Sequence, residues 1–470
     1  MDLLIWLYLI LYLILAYFRL DWAVLFLLAA LPSYLIRFQI FGIPFTLLEA
    51  MILTSFFIWF VSKTEFKNFI KRKYGWREFK ENRKERINYP FGWEIIFLLI
   101  ISFIAVAVAK FSDGAFGIWK AYFFEPALLF ILILNIFGRK EEADKNLRKI
   151  ILAFSVSALV VSILAIYQQI TGAWIFNDFW AMASQRRVTS FFGYPNAVGL
   201  YLAPLILVMF GWLFNSFKII KNQQPTTKQY SKSFFISLII ILSFLAIYFA
   251  KSKGALVGVA AGLGIFFLLS VEKKIRLVII FLALILAAGV LVYTPARNFA
   301  LGKTVYSKSF QIREQQWKET WEMLRDRRMI SGAGLANYQK SVAPYHQEGI
   351  FLRDYSDPDW HKKTVFNAEF RASVWQPTEI YLYPHNILLN FWSELGLAGM
   401  LLFIWIIGKY LVISFKLVIL DNENKFIVLG LLCAMVVIIV HGLVDVPYFK
   451  NDLAVMFWTL IAIVSIQKIK

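Results

Sequence analysis

Cysteine and histidine are scarce in this sequence. Cys433 is the one cysteine among 470 residues, and it lies in an apolar run. A single cysteine excludes an intramolecular disulfide and a cage of cysteine ligands around a metal. The four histidines form no H-x-x-x-H or H-E-x-x-H pattern. We therefore expect no metal site.

Charge is scarce too, at 17% of residues, whereas 60% of residues are hydrophobic. A soluble domain is closer to half apolar. The apolar excess comes in runs of about 16 to 22 residues, the length needed to cross the core of a bilayer. The aromatic share of 18% is also consistent with a membrane protein, because Trp and Tyr favour the two membrane interfaces. The predicted fold class is an all-α polytopic membrane protein.

The apolar runs are distributed along the whole chain. They lie near residues 3–18, 22–38, 43–61, 94–111, 120–137, 150–170, 196–217, 234–250, 255–270, 277–293, 386–408, 426–444 and 453–468. The first run has Asp2 before it and no small-residue cleavage site after it. This pattern indicates a transmembrane span and not a signal peptide.

Orientation follows from the loops that are rich in Lys and Arg, which stay in the cytoplasm. These loops are 63–86, 138–149, 272–276 and the C-terminal QKIK. This assignment places residues 171–193, the turn 250–255, the long loop 294–385 and residues 445–452 on the outer side. A cytoplasmic N-terminus conflicts with this assignment if the first three runs all cross. Either the N-terminus is outside or two of these runs form one bent or shallow element, so the count is twelve or thirteen spans.

The net charge of +19 would suggest nucleic acid as the partner of a soluble protein. Here many of the cations lie in a few short loops, as the positive-inside rule predicts. We therefore expect membrane lipids as partners and no nucleic acid.

Three regions are predicted. Residues 1–293 form the N-terminal part of the transmembrane bundle, residues 294–385 form an extracytoplasmic helical loop, and residues 386–470 form the C-terminal transmembrane helices. The stretch SFQIREQQWKETWEMLRDRRM (309–329) in the loop has Phe310, Trp317, Trp321 and Leu324 at helical spacing. Ordered loops of this length usually carry function. We expect a small helical cap that carries part of an active site.

Unusual polar groups occur on the predicted outer side, where charges near the hydrocarbon are costly and tend to be functional. In QRRVTSFFGYPNAVGLYLAPL (185–205), Arg186 and Arg187 precede a turn, and Asn196 is placed to cap the next helix. The ordinary alternative is a pair of arginines that snorkel to the interface. Positive charge on the outer face is disfavoured by the orientation rule, which keeps the functional interpretation open.

Two further cationic positions follow. In FAKSKGALVGVAAG (249–262), Lys251 and Lys253 lie between two spans that almost no loop separates. Glycines at 254, 258 and 262 are spaced for close helix packing, which is the favoured interpretation for them. Arg313, in QIREQQWKETW, also fits an ordinary solvated helix face.

His385 begins the stretch YPHNILLNFWSELGLAG (383–399), where the chain enters the membrane. It is either an interfacial histidine satisfied by water or a general base. Its ordinary pKa lies near neutrality, and neighbouring cations would lower the pKa and keep the ring neutral. Three basic positions and one base at a membrane surface suit a pyrophosphate anchored on a lipid, because cations neutralise a leaving group.

These motifs resemble the O-antigen ligase and polymerase family of bacterial envelope enzymes. RVTSFFGYPNAVGLY is similar to the family's Arg-x-x-Gly-x-Phe-x-x-Pro-Asn segment, and KSKGALVG to its Ser-Arg-Gly segment. REQQWKETWEMLRDRRMISGAGLANY resembles its Arg-x-x-x-Trp helix and the P-L-x-G-x-G turn that follows. HNILLNFWSELG matches the His-x10-Gly pattern, from His385 to Gly396. The resemblance covers most of the chain and is firmest from about residue 185 to 400.

The resemblance implies a metal-independent, cofactor-free, inverting glycosyltransferase of the C-type membrane class (GT-C). Such enzymes take a glycan from undecaprenyl pyrophosphate on the outer face of the bacterial plasma membrane. By the resemblance, Arg187, Lys253 and Arg313 hold the donor pyrophosphate, and His385 activates the acceptor hydroxyl. Arg186, Lys251, Asn196 and Glu394 are secondary candidates.

Two departures from the family pattern stand out. Lys253 replaces an arginine and so loses the bidentate fork, and the turn reads MISGAGL (329–335) without its proline. The acceptor stays open among a glycolipid, a second lipid-linked glycan and a protein hydroxyl, for a ligase, a polymerase or an O-oligosaccharyltransferase. A transporter or flippase of lipid-linked sugars is the alternative from another class, and it predicts charges at mid-membrane or on both faces.

Overall fold

The structure is a computed structural model that describes residues 2–40, 42–63, 89–222, 227–292, 307–420 and 423–469. Its helices are α1 (Asp2–Phe18), α2 (Leu20–Ala29), α3 (Leu47–Lys63), α4 (Gly92–Val108), α5 (Asp113–Trp119), α6 (Glu125–Phe137), α7 (Ala143–Thr171), α8 (Asp178–Ala181), α9 (Pro195–Asn222), α10 (Thr227–Phe249), α11 (Lys253–Ser270), α12 (Lys273–Val292), α13 (Lys308–Arg325), α14 (Tyr338–Val342), α15 (Trp360–Phe366), α16 (Ala368–Val374), α17 (Ile387–Leu420), α18 (Lys425–Gly442) and α19 (Asn451–Ile469). Two antiparallel hairpins accompany them, β1 (Arg37–Ile40) with β2 (Ile43–Thr46) and β3 (Gly349–Phe351) with β4 (Trp375–Pro377).

The protein is an all-α polytopic membrane protein, as the sequence predicts. Among the described residues, seven helical segments are long and apolar enough to cross a bilayer. They are Asp113–Phe137, Ala143–Thr171, Pro195–Lys218, Gln229–Phe249, Lys253–Ser270, Ile387–Leu420 and Lys425–Gly442. The apolar helices α1 to α4 are shorter. The total of twelve or thirteen spans stays a prediction, and most of the basic loop 63–86 lies outside the described residues.

The second apolar run does not continue as one helix to residue 38. Helix α2 has ten residues, which rise about 15 Å, roughly half of the hydrocarbon thickness. A 3₁₀ turn with Pro32 near its start follows, and the hairpin β1–β2 then leads into α3. Pro32 supplies no backbone N–H, which favours the end of the α-helix there. The chain thus reaches α3 through a short helix and a hairpin.

Glycine contacts bring three helices together at the centre of the bundle. A Cβ on Gly211 of α9 would lie 2.7 Å from the Cα of Gly430 on α18. Gly258 and Gly262 of α11 face the Val437 side chain of α18 at 3.2 and 3.0 Å from such a Cβ. The spacing of four therefore serves close helix packing, as the sequence predicts.

Residues 307–385, hereafter the cap, pack onto the beginning of α17. A small core of Met323, Leu324, Ala333, Tyr338 and Val342 holds the cap together. Helix α13 forms where the 3.6-residue period predicts a helix, but its buried face includes the polar Gln316, Glu319 and Thr320. Trp321, predicted on the apolar face, is 43% exposed. The polar residues are buried because each finds a partner, such as the Tyr338 hydroxyl at 2.8 Å from Thr320 Oγ1.

Candidate functional site

Five separate segments of the chain meet at one end of the bundle. Gln168 near the end of α7 accepts hydrogen bonds from the backbone N–H groups of Thr189 and Ser190 at 2.9 and 2.7 Å. This bond fixes the segment that precedes α9. The turn between α10 and α11 lies beside it, since the Val188 N–H donates to the Phe249 carbonyl at 3.4 Å. The Asn386 amide of the segment before α17 donates to the Leu443 carbonyl after α18 at 3.2 Å.

Arg187 joins three of these segments. Its Nε donates to the Ala250 carbonyl at 3.0 Å, and its Nη2 donates to Asn196 Oδ1 at 3.1 Å. The Asn196 amide then donates to Asp445 Oδ2 at 3.1 Å. Asp445 is buried, and its other oxygen accepts from the Val446 N–H at 2.9 Å. Asn196 is the second residue of α9, so the prediction that it caps the helix is wrong, and its side chain bridges a cation and a buried carboxylate instead.

One nitrogen of the Arg187 guanidinium makes no hydrogen bond to the described residues. Its Nη1 has no partner in the described part of the chain. Burial lowers the pKa of Arg187, and the neighbouring Arg313 lowers it further. Two cations that repel each other in a half-buried place are stabilised by an anion between them. The arrangement is therefore suited to binding a negatively charged group.

Arg313 comes from the cap and faces the same region. Its Nη1 donates to Ser309 Oγ at 2.5 Å within α13. Its Nε is buried and has no hydrogen-bond partner among the described residues. A buried donor without a partner is costly. A ligand oxygen placed beside this nitrogen would remove that cost.

His385 lies half-buried between the cap and the membrane domain. Its backbone has φ +46°, a left-handed conformation that is uncommon for a residue with a side chain. Its Nδ1 lies 3.1 Å from Gln316 Oε1 of α13. Because an amide oxygen only accepts, Nδ1 carries the proton and Nε2 keeps its lone pair. The rings of Tyr381 and Tyr383 pack on the imidazole with centroids 5.2 and 4.8 Å away.

Burial keeps the ring of His385 neutral. Burial of the ring lowers the pKa of His385 below its ordinary value of 6.5. Asp445 raises the pKa, Arg313 lowers it, and a hydrogen bond to the Tyr383 backbone raises it. The net direction is downward. His385 is therefore an unprotonated base at neutral pH.

The lysines of the short turn lie next to Arg187. Lys253 is the first residue of α11 and is exposed, with no hydrogen bond or ion pair to the residues that the structure describes. Lys251 is exposed and has φ +53°. The next glycine allows the turn to approach α18, since a Cβ on Gly254 would lie 2.7 Å from the His441 ring. Lys253 is thus presented at the start of a helix, where an anion is also favoured.

The secondary candidates Arg186 and Glu394 have internal partners. Arg186 donates to the backbone carbonyls of Gln169 and Ala181 at 2.8 and 3.2 Å. Glu394 is buried in α17 and accepts from the Ala336 N–H at 2.8 Å. These contacts give both residues a role in holding loops, while Arg187 and Arg313 keep unused donors.

The glycine of the His-x10-Gly pattern, Gly396, has a structural role. Helix α17 is broken at Gly396, whose φ and ψ are +76° and −179°. The turn 330–335 fills the break: the Ala333 N–H donates to the Ser393 carbonyl at 2.6 Å, and the Leu397 N–H donates to the Ile330 carbonyl at 3.0 Å. A Cβ on Gly396 would lie 2.2 Å from the Ile330 oxygen. The turn therefore anchors the cap against the membrane helix that His385 precedes.

Sequence reasoning missed Asp445 and Lys450. Lys450 Nζ lies 3.9 Å from the Phe192 ring centroid and 3.4 Å from Asp452 Oδ2. Both residues occur in HGLVDVPYFKND (441–452), a short loop with charges between two apolar runs. The signal was the presence of acids in a loop on the predicted outer side. In the part of the chain that is described, no group of three or more His, Cys, Asp or Glu residues could hold a metal ion.

Comparison with known proteins bears on the family. Residues 238–404 match the family model described as O-antigen ligase. The match confirms the resemblance over the three motifs from Lys251 to Gly396. It includes Lys253, Arg313 and His385, whereas Arg187 and Asp445 lie outside the matched stretch. No significant match is found among curated proteins.

Proposed function

We propose that this chain is a membrane glycosyltransferase that moves a glycan from undecaprenyl pyrophosphate to an acceptor hydroxyl, and the match of residues 238–404 to the O-antigen ligase family model supports this proposal. The observation that carries this proposal is the convergence of Arg187 and Arg313, each with unused donors, beside the neutral imidazole of His385. The reaction takes place at the extracytoplasmic face of a bacterial plasma membrane, and the bundle has the C-type architecture. The predicted loop 294–385, of which residues 294–306 lie outside the described residues, supplies part of the active site between the membrane regions 1–293 and 386–470.

The donor pyrophosphate binds to three cations. Arg313 offers its Nε and Arg187 offers its Nη1, neither of which has a partner among the described residues. Lys253 adds a point charge at the first turn of α11. Arginine suits this task because its planar fork matches phosphate oxygens. A bound anion also relieves the repulsion between Arg187 and Arg313, which lowers the pKa of Arg187 in addition to burial.

His385 removes the proton from the acceptor. Gln316 fixes Nδ1 as the protonated nitrogen, so that Nε2 is the base. A positioned general base contributes about a hundredfold to ten-thousandfold to a rate. Asp445 stabilises the imidazolium that forms, since it already raises the pKa of this ring.

The transfer step is a substitution at the anomeric carbon. The acceptor oxygen forms a bond to that carbon while His385 Nε2 takes the hydroxyl proton. The bond from the anomeric carbon to the pyrophosphate oxygen breaks, and its electron pair stays on the pyrophosphate. The cations neutralise this charge. Attack opposite the leaving group inverts the configuration, and this chemistry requires no metal ion.

The acceptor defines the enzyme. A glycolipid such as lipid A core corresponds to a ligase, a second lipid-linked glycan to a polymerase, and a Ser or Thr of a protein to an O-oligosaccharyltransferase. A transporter of lipid-linked sugars is disfavoured, because Arg187 and Arg313 interact electrostatically and have unused donors at one end of the bundle. Transporters place such sites near the bilayer midplane.

The test uses purified protein with undecaprenyl-pyrophosphate-linked glycan and the three classes of acceptor. Glycan transfer and release of undecaprenyl pyrophosphate are followed for the wild type and for His385→Ala. We expect transfer by the wild type and a loss of about a hundredfold or more in His385→Ala. His361→Ala is the matched control, because His361 is an exposed histidine in the cap, away from the converging segments.

Each other outcome is informative. Equal rates for the wild type and His385→Ala would reject the base assignment. Absence of transfer to every acceptor, with intact lipid-linked glycan crossing a vesicle membrane, would replace the enzyme by a transporter. The acceptor that is used names the reaction.

A further inference from the structure

A cavity of about 140 Å³ opens between α7, α9 and α10. Its lining includes Arg148 on α7, Trp212 on α9 and Lys232 on α10. The same helices carry Gln168, Asn196 and Phe249 at their other ends, in the candidate active site. Arg148 and Gln168 are twenty residues apart on one helix, a rise of about 30 Å. This distance equals the thickness of the hydrocarbon core, so the cavity lies at the opposite membrane interface.

The rim of this cavity is cationic and has free donors. Arg148 and Lys232 are exposed, and neither has a hydrogen bond or an ion pair with the described residues. The acid one turn before Arg148 is Asp144, whose Oδ1 is occupied by the Asn424 amide. The Trp212 indole N–H also has no partner in the described part of the chain and is not fully buried. The rim therefore presents two charges and one neutral donor to a ligand.

The floor and one side of the cavity are apolar. Ile236 is 3% exposed at the floor. Leu152 and Phe235 also line the cavity and are 48% and 39% exposed. On membrane-spanning helices at this height, exposed apolar side chains face acyl chains. A ligand with a charged head and an apolar tail matches both parts, whereas free phosphate would leave the apolar side unused.

We propose that this cavity binds an anionic phospholipid of the leaflet opposite the active site. The phosphate and headgroup lie between Arg148 and Lys232 and accept the Trp212 N–H, and one acyl chain runs over Leu152 and Phe235. Basic pockets between membrane helices are recognised sites for anionic headgroups. The binding ties together the ends of the three helices whose other ends carry Gln168, Asn196 and the 250–252 turn. This inference does not depend on the proposed reaction.

The test measures lipid binding to the full-length protein in detergent by native mass spectrometry. Phosphatidylglycerol is titrated against the wild type and against R148Q/K232Q. Each cation near a membrane surface contributes about 1 kcal/mol of attraction to anionic lipid, so we expect roughly thirtyfold weaker binding in the double variant. The variant K273Q/K274Q also loses two exposed cations, and these lie outside the cavity lining. It is expected to bind like the wild type.

Further binding measurements distinguish an anionic phospholipid from other ligands of the cavity. Phosphatidylcholine is expected to bind at least about tenfold more weakly than phosphatidylglycerol, and inorganic phosphate is expected not to compete. Equal binding of phosphatidylglycerol by the wild type and R148Q/K232Q would overturn the proposal. Competition by inorganic phosphate at the concentration of the lipid would reject a lipid as the occupant. If the double variant does not fold, R148Q and K232Q are measured singly, each with an expected loss of roughly fivefold.

Discussion

The backbone of His385 has a left-handed conformation that is uncommon for a residue with a side chain. A left-handed backbone at a residue with a side chain costs about 1–3 kcal/mol, and such strain is concentrated at functional sites. At His385 the constraint comes from two sides: Gln316 of the cap binds Nδ1, and the Asn386 amide is tied to the Leu443 carbonyl. The imidazole is therefore held with Nδ1 on Gln316 of the cap. Burial lowers its pKa most, and two groups of opposite charge, Asp445 and Arg313, then raise and lower that pKa.

The effect of Arg313 and Asp445 on the pKa of His385 predicts the pH dependence of activity. A base with a lowered pKa stays neutral until the pH falls below 6.5, so activity is lost below that value as the ring takes up a proton. Arg313→Gln removes a cation that lowers the pKa, and the acid limb should move to higher pH. Asp445→Asn removes an anion that raises the pKa, and the limb should move to lower pH. The measurement is kcat/KM from about pH 5 to 8.

Lys318→Gln serves as the control for these two variants. Lys318 is exposed on α13 and pairs with Glu314 at 2.9 Å, so its removal should leave the limb in place. Shifts of Arg313→Gln and Asp445→Asn in the same direction would contradict the assignment of His385 as the titrating base.

At the scale of elements, the break in α17 explains how a cap is fixed on a membrane helix. A helix interrupted in the membrane leaves backbone groups without partners. Here the turn 330–335 supplies them, and Trp392 Nε1 adds a bond to the Met329 carbonyl at 2.7 Å. The missing proline of the MISGAGL turn does not prevent this docking, because the contacts are made by backbone atoms. Gly332, with φ +66°, lies against the Ser393 and Trp392 carbonyls.

Gly396→Ala should therefore destabilise the protein, whereas Gly408→Ala should not. The backbone of Gly396 is accessible almost only to glycine, and a Cβ there meets the Ile330 carbonyl. We expect a loss of at least about 1–3 kcal/mol in the free energy of unfolding. A Cβ at Gly408 of the same helix meets nothing within 4 Å, and alanine favours a helix. Thermal melting of both purified variants measures this difference, and equal melting temperatures would refute the role of the break.

At the scale of the whole molecule, the two ends of the bundle differ in chemistry. One end combines cations with a histidine, a buried carboxylate and the cap. The other carries exposed cations around an apolar cavity. Excess cations without acidic partners are typical of the cytoplasmic side. The active-site end should accordingly face outward.

Cysteine labelling can establish this orientation. The native Cys433 is buried, so it contributes little background. Ser356→Cys in the cap and Ser231→Cys at the opposite end both replace exposed serines. In intact spheroplasts, a membrane-impermeant maleimide should label Ser356→Cys and should label Ser231→Cys only after lysis. The reverse pattern would place the active site in the cytoplasm.

The sequence by itself determined the all-α membrane class, because apolar runs of bilayer length leave the backbone few other ways to satisfy its hydrogen bonds. It also determined the helical nature of α13 and the packing role of the glycines in α11, and it indicated the resemblance to the O-antigen ligase family, since these depend on local spacing and motifs. Only the tertiary structure decided that Asn196 joins Arg187 to Asp445, that Gln316 selects the tautomer of His385 and that Gly396 receives the turn 330–335. The contacts of Asn196 with Asp445 and of Gln316 with His385 join residues 249 and 69 positions apart. Such pairings are set by how helices pack, which no local pattern records.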